Sequence, residues 1–160
     1  MLVGLNVLNW FFAAVFMVVL VAITLRPDLL ADALTKVTPR MDADHVIDLF
    51  RLVLLLCVPI AFAAHAIFTR LVAMIDSVDS AAVFTPVNAR RLRVIGWCLL
   101  ATQVIDVGYG WISYQLVVAS GEHFGWQPSL TAWLAVLMLF ILARIFEQGA
   151  AMREEIEQTI

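Results

Sequence analysis

The sequence contains little charge. Of its 160 residues, 14% are Asp, Glu, Lys or Arg, whereas 63% are apolar, and the mean hydropathy is +0.95. A water-soluble domain needs charge at about a quarter to a third of its surface positions, and this chain cannot supply it. The composition therefore excludes a soluble globule, and it excludes disorder, which requires low hydrophobicity. Most of the surface must face lipid.

Cysteine and histidine are also scarce. The two cysteines lie inside apolar runs, which excludes a disulfide scaffold. His65 is the histidine that lies within an apolar run, which argues against a bis-histidine haem site in one chain. The chain has no nucleophile triad, zinc motif, phosphate loop or dinucleotide fingerprint. We therefore expect no enzymatic activity, no cofactor and no metal site. The net charge of -3 gives no sign of direct nucleic-acid binding.

The apolar residues form four runs that are long enough to cross a membrane. About 20 helical residues cross the roughly 30 Å hydrocarbon core. Arg26 and Pro27 end the first run. Thr85 and Pro86 suit the cap and the first residue of a helix that runs into the third span, and Pro128 suits the first turn of the fourth helix. Since no repeat or linker interrupts the chain, we predict one all-α domain over residues 1–160, a four-transmembrane-helix bundle. The spans are predicted at about residues 5–25, 48–73, 92–118 and 128–146, with a tail at residues 147–160.

Basic residues orient the spans. Four spans place both termini and the loop between the second and third spans on one side, which has six Lys and Arg against four on the other. Arg90, Arg91 and Arg93 lie in that short loop, at the edge of the third span, where the positive-inside rule is strongest. We therefore place both termini in the cytoplasm.

Two segments outside the spans have helical patterns. An apolar pattern from residue 29 to residue 37 predicts a surface helix in the first outer loop, lying on the bilayer and ending before Pro39. Apolar residues recur at helical spacing in the tail beside an acidic face, which predicts an amphipathic cytoplasmic C-terminal helix continuing the fourth span. This tail either folds back onto the arginines of the inner loop or offers its apolar stripe and charges to another protein.

Asp106 is the most informative residue in the chain. It lies thirteen residues beyond Arg93, which places it about 20 Å deep, near the bilayer midplane. A charged Asp there costs roughly 2.5 to 3.5 kcal/mol, so such residues usually face the bundle interior and mark a site or a proton path. Gln103 lies on the same helical face, and Arg51 and His65 are the partners that depth allows. A ligand pocket, a proton relay and a structural pairing of Asp106 with Arg51 or His65 all stay open.

Two short segments resemble a known family. They are FTPVNARRLRVIG at residues 84–96 and an ending that contains IFEQG at residues 145–149, MREE at residues 152–155 and TI at residues 159–160. Together with length and span count, they are similar to a family of small four-span bacterial membrane proteins that has only a domain-of-unknown-function label. The resemblance implies a bacterial inner-membrane location and no assigned chemistry. Family members are often encoded beside a small helix-turn-helix regulator, which implies that the membrane protein restrains or informs a transcription factor.

These observations predict a membrane sensor or regulatory partner of a cytoplasmic helix-turn-helix protein. Asp106, Gln103 and His65 would line an intramembrane pocket, with Arg51 toward its outer edge. The cytoplasmic interaction surface would consist of Arg90, Arg91, Arg93, Arg153, Glu154 and Glu155.

Two other functions and one further partner fit the same residues. A small proton-coupled transporter or channel would use Asp106, whereas a purely structural role would make Asp106 and Arg51 hold helices together. The expected partners are the lipid bilayer, the regulator and a second copy of the chain, since four spans enclose little volume. A homodimer would use close-packing alanines around Ala61.

Overall fold

The computed structural model is all-α over the residues that it describes, which are 2–28, 31, 43–78, 84–120 and 125–159. Each of the helices is long enough and, by composition, apolar enough to cross a membrane. The prediction of four apolar membrane-spanning helices is therefore confirmed, and the chain is a multi-pass membrane protein. In the described residues the helices are α1 (Leu2–Leu25), α2 (Ala43–Val78), α3 (Pro86–Ser120) and α4 (Leu130–Thr159).

A side-chain cap fixes the start of α3. Thr85 Oγ1 accepts a hydrogen bond from the backbone N–H of Asn88 across 3.2 Å. The Thr85 carbonyl accepts the first helical bond, from the N–H of Ala89, at 3.1 Å. Thr85 is therefore the N-cap and Pro86 the first helical residue, as predicted, because proline has no N–H to satisfy at that position.

The start of α4 differs from the prediction by two residues. Ser129 is the cap: its Oγ accepts a hydrogen bond from the N–H of Ala132 across 3.3 Å, so Pro128 precedes the helix and Leu130 begins it. From there α4 continues for 30 residues to Thr159. The predicted fourth span and the predicted tail helix are thus one uninterrupted helix.

The predicted surface helix of the first outer loop falls mostly outside the described residues. Within that loop, Pro27, Asp28 and Ala31 have helical backbone. Arg26 and Asp28 form an exposed ion pair of 3.5 Å, which lies where the charge was expected to end α1.

The chain divides into two compact units. The first comprises Met1–Val7, Ala63–Gln103 and Ser129–Ile160, and the second comprises Leu8–Phe62 and Val104–Pro128. In the second unit a buried apolar cluster joins the first turns of α2 to the last turns of α3; it contains Val46, Leu49, Ile112 and Leu116. In the first unit the buried apolar residues of α3 and α4 are Ala89, Leu92, Ile95, Val136, Ala143 and Ala150. The single domain stays a prediction.

Candidate functional site

Asp106 accepts a hydrogen bond from a tryptophan. The Nε1–H group of Trp126 donates to Asp106 Oδ2 across 3.3 Å, and both side chains are partly buried. Because the indole donor is neutral, the carboxyl gains a partner without a second charge being taken out of water. Asp106 is therefore held by a neutral group.

Gly110 makes room for that tryptophan. It lies four residues after Asp106, so the two share a face of α3. A Cβ atom on Gly110 would lie 2.4 Å from the Trp126 ring, whereas a Cβ atom on Gly108 would meet nothing within 4 Å. We call Asp106, Gly110 and Trp126 the tryptophan site. Sequence analysis noted Asp106 but missed the site, because Trp126 is twenty residues away and belongs to no local pattern.

Arg51 stabilises the end of α1 instead of pairing with Asp106. Its Nη1 donates to Asp48 Oδ1 at 2.7 Å, one turn earlier on α2, and its Nη2 donates to the Ile23 carbonyl at 3.2 Å. Ile23 is among the last four residues of α1, whose carbonyls lack helical donors and attract a cation. Of the alternatives left open for Asp106, a pairing with Arg51 is not found: within the described residues, the ion-pair partner of Arg51 is Asp48.

His65 lies against α1. Its Nδ1 and the Asn6 Oδ1 are 2.9 Å apart in a hydrogen bond of the first unit. α1 contains no buried residue, and this hydrogen bond is one of the polar contacts that hold it against α2. Gln103 is half-buried in the same unit as His65, whereas Asp106 belongs to the other unit. A pocket lined by all three residues stays a prediction.

A second polar contact holds α1 against α2 in the second unit. Asn9 Nδ2 donates to the Ala61 carbonyl at 3.0 Å, and Trp10 meets Phe62 edge to face at a centroid distance of 5.4 Å. Ala61 is only 7% exposed. This alanine therefore packs within the single chain, and the homodimer stays a prediction.

The three arginines at the start of α3 have different environments. Arg91 Nη1 donates to the Ala73 carbonyl of α2 at 2.8 Å and to Asn88 Oδ1 at 2.9 Å. Asn88 is only 2% exposed, and its Nδ2 donates to Ser77 Oγ at 2.8 Å. Arg91 thus belongs to a network that ties α2 to α3, whereas Arg90 and Arg93 are exposed.

Arg93 connects α3 to α4. Its Nη2 lies 2.7 Å from Glu147 Oε2, and the two side chains are 51% and 56% exposed. Beside this ion pair, the rings of Phe84 and Phe146 pack with centroids 4.9 Å apart. A Cβ atom on Gly149 would lie only 3.0 Å from the Phe84 ring, so glycine permits this close approach.

The two segments that carry the family resemblance therefore contact each other. We call this region the arginine end; it contains Ala73, Ser77, Phe84, Thr85, Asn88, Arg90, Arg91, Arg93, Phe146, Glu147 and Gly149. Glu147 is the first residue of the predicted tail, and it pairs with Arg93 while α4 continues without a break to Thr159. Whether the tail serves the arginines or another protein stays a prediction. Beyond it, Met152, Arg153, Glu154 and Glu155 have exposed side chains on α4.

A family model matches most of the chain. The model described as "Protein of unknown function (DUF2975)" matches residues 29–160. That range contains α2, α3 and α4, with both contacting segments of the arginine end, and begins after α1. No curated protein and no solved structure matches the chain. Over the described residues, no group of three or more His, Cys, Asp or Glu side chains could hold a metal ion.

Proposed function

We propose that this chain, which belongs to the DUF2975 family of proteins of unknown function, is a membrane sensor or regulatory partner of a cytoplasmic helix-turn-helix protein. The proposal places it in the bacterial inner membrane with both termini in the cytoplasm and gives it no catalytic step. The arginine end is then the cytoplasmic end, in agreement with the preference of arginine for that side.

The uninterrupted α4 is the observation that supports this proposal best. Its 30 residues extend about 45 Å, which exceeds the roughly 30 Å hydrocarbon core. The last turns of α4 therefore continue beyond the membrane as a preformed helix. Because a preformed helix loses less conformational entropy on binding than a flexible tail, α4 is suited to present a binding surface.

The proposed binding surface begins just after the contacts of the arginine end. Arg93 and Glu147 join α3 to α4 at 2.7 Å, and Phe84 packs on Phe146. The next turns expose Met152, an apolar side chain, beside charged neighbours. An apolar anchor with a charged surround is typical of a helix that binds a protein groove.

Removing residues 153–160 tests the proposal. In native membranes, the full chain should co-purify with a helix-turn-helix protein, and the shortened chain should lose it. Glu154→Lys should weaken the association, whereas Asp44→Lys, the same charge change near the start of α2, should not. Equal recovery of the regulator with the full and shortened chains, or recovery of no regulator at all, would contradict the proposal.

A proton-coupled transporter is the second candidate, and the tryptophan site supports it. Asp106 lies in the apolar part of α3 and accepts a hydrogen bond from Trp126, and carboxyls within membrane helices often mark proton paths. Asp106→Asn should then abolish a pH-dependent flux in proteoliposomes, whereas Asp48→Asn should preserve it. If no tested solute shows a pH-dependent flux through the unaltered protein, this second candidate fails.

A further inference from the structure

A cleft opens between α3 and α4 at the arginine end. It has a volume of about 530 Å³ and is lined by Arg93, Phe140, Arg144, Glu147, Gln148 and Ala151. Five of these six residues lie on one face of α4, at positions that recur at helical spacing. The cleft shares Arg93 and Glu147 with the start of the surface that α4 is proposed to offer to a regulator, but it does not include Met152 or the residues after it.

The polarity of the cleft changes along α4. Phe140, at one end, packs its ring against Gly96, where an added Cβ would lie 3.3 Å away. Trp97 meets the same ring edge to face at a centroid distance of 5.4 Å. One turn further along the chain is Arg144, the first charged residue after the apolar run of α4, and Arg93 directly precedes the apolar run of α3. The two arginines therefore lie at headgroup level and Phe140 at acyl-chain level.

The side chains that line the cleft have one more positive charge than negative charge. Two arginines and one glutamate line it, so the net charge is +1. The Glu147 carboxylate is already paired with Arg93 Nη2, which leaves the other N–H groups of Arg93 available. Arg144 is exposed and has no hydrogen-bond or ion-pair partner within the described residues. A guanidinium in this position favours a phosphate group.

We propose that this cleft binds the headgroup of an anionic glycerophospholipid that has a single phosphodiester, such as phosphatidylglycerol. The phosphate accepts hydrogen bonds from Arg144 and Arg93, and an acyl chain lies against Phe140. One phosphodiester matches the net charge of the cleft, whereas a zwitterionic lipid would bring a further cation beside the two arginines. Basic pockets at the cytoplasmic side of membrane helices bind lipid headgroups in this way.

Native mass spectrometry of the detergent-purified full chain tests the proposal. Phosphatidylglycerol is titrated into the unaltered protein, Arg144→Gln, Arg144→Lys and Arg90→Gln, and the bound lipid is counted. Arg144→Gln should lower the affinity about fivefold, since one basic residue near the headgroups contributes about that factor. Arg144→Lys keeps the charge and should restore binding. Arg90 is exposed and lies outside the cleft, so Arg90→Gln is the matched control and should have a smaller effect.

Glu147→Gln should raise the affinity for phosphatidylglycerol instead of lowering it. It removes the negative charge and releases Arg93, so phosphatidylglycerol should bind more tightly than to the unaltered protein. An equal loss of affinity in Arg144→Gln and Arg90→Gln would overturn the proposal, because it would show only general surface attraction. Phosphatidylcholine binding as tightly as phosphatidylglycerol would also overturn it. So would displacement of the lipid by an equal concentration of water-soluble glycerophosphoglycerol, which has the same phosphodiester without acyl chains, because the acyl chain would then contribute nothing.

Discussion

Glu147 and Asp106 each accept a hydrogen bond from a residue distant in sequence, but the donor is a cation for Glu147 and a neutral group for Asp106. Glu147 at the arginine end pairs with the cation Arg93, and both side chains are about half exposed. Asp106, in the apolar part of α3, accepts from the neutral indole of Trp126. A pair of charges loses little hydration where water reaches it, whereas burying two charges in lipid has a large desolvation penalty. The environment therefore determines which donor holds each carboxyl.

The arginine end and the tryptophan site also differ in how their neutral polar side chains are hydrogen-bonded. At the arginine end, the buried Asn88 is bonded on both sides of its amide, to Ser77 and to Arg91. Near the tryptophan site, Ser113 Oγ is buried and has no hydrogen-bond partner among the described residues. Hydrogen bonds therefore determine how the helices pack at the arginine end. Around Asp106, apolar contacts and the fit of Trp126 to Gly110 determine the packing.

The largest effect should follow from Asn88→Leu. It removes the two hydrogen bonds that Asn88 makes with Ser77 and with the charged Arg91, which together contribute about 3 kcal/mol. The free energy of unfolding, measured by titration with a denaturing detergent, should fall accordingly. Val87→Leu, at an exposed neighbour, should change it by less than about 0.5 kcal/mol. Equal losses in the two variants would show that the network contributes no specific stability.

Gly110→Ala should have the next largest effect. The added Cβ would lie 2.4 Å from the Trp126 ring, so the ring must move, at about 2 kcal/mol. Gly108→Ala is the matched control, because open space surrounds that position, and alanine should be neutral or slightly stabilising in the helix. For both variants, the free energy of unfolding is measured in a denaturing detergent, and the environment of Trp126 is followed by tryptophan fluorescence. The tryptophan site would be wrong if the two variants had the same stability and the same emission.

A double-mutant cycle should give a smaller value for the hydrogen bond itself. Trp126→Phe and Asp106→Leu each remove one partner, and their coupling should be about 1 kcal/mol, within the range of such bonds in membranes. If the two losses add without any coupling, the 3.3 Å contact contributes nothing and the contrast with Glu147 disappears.

The exposed ion pair should have the smallest effect. Arg93→Gln should lower the free energy of unfolding by about 0.5 kcal/mol, and added salt should reduce that difference, because exposed pairs are screened. The charge swap Arg93→Glu with Glu147→Arg should restore part of the loss. If Arg93→Gln lowered the free energy of unfolding by more than Gly110→Ala does, the exposed ion pair would be the stronger contact, which would contradict the comparison between the two regions.

Local patterns predicted the helices well because each depends on short-range chemistry. Apolar run length predicted all four, and the Thr85-Pro86 pair predicted the first residue of α3. The error at the start of α4 has a local cause too: Ser129 is a better cap than the residue before Pro128. The continuity of α4 followed from the helical spacing of its apolar residues.

Contacts between distant residues were the part that could not be predicted. The sequence placed Asp106 within the membrane, and depth suggested Arg51 or His65 as its partner. In the structure, Arg51 contacts Asp48 and the end of α1, and His65 contacts Asn6. Arg90, Arg91 and Arg93 looked equivalent because they share a loop and a charge. They differ because side chains point in different directions around a helix: Arg91 contacts α2 and Arg93 contacts α4.

Site-specific photo-crosslinking in living cells tests the central claim, which is that the end of α4 binds a cytoplasmic regulator. A photoreactive residue at position 152 is compared with one at position 138. Met152 and Met138 are matched, being 60% and 66% exposed on the same helix, but residue 138 lies in the apolar run. We predict that a helix-turn-helix protein is crosslinked from position 152 and not from position 138. The absence of such a product at position 152, or equal yields at both positions, would contradict the proposed function.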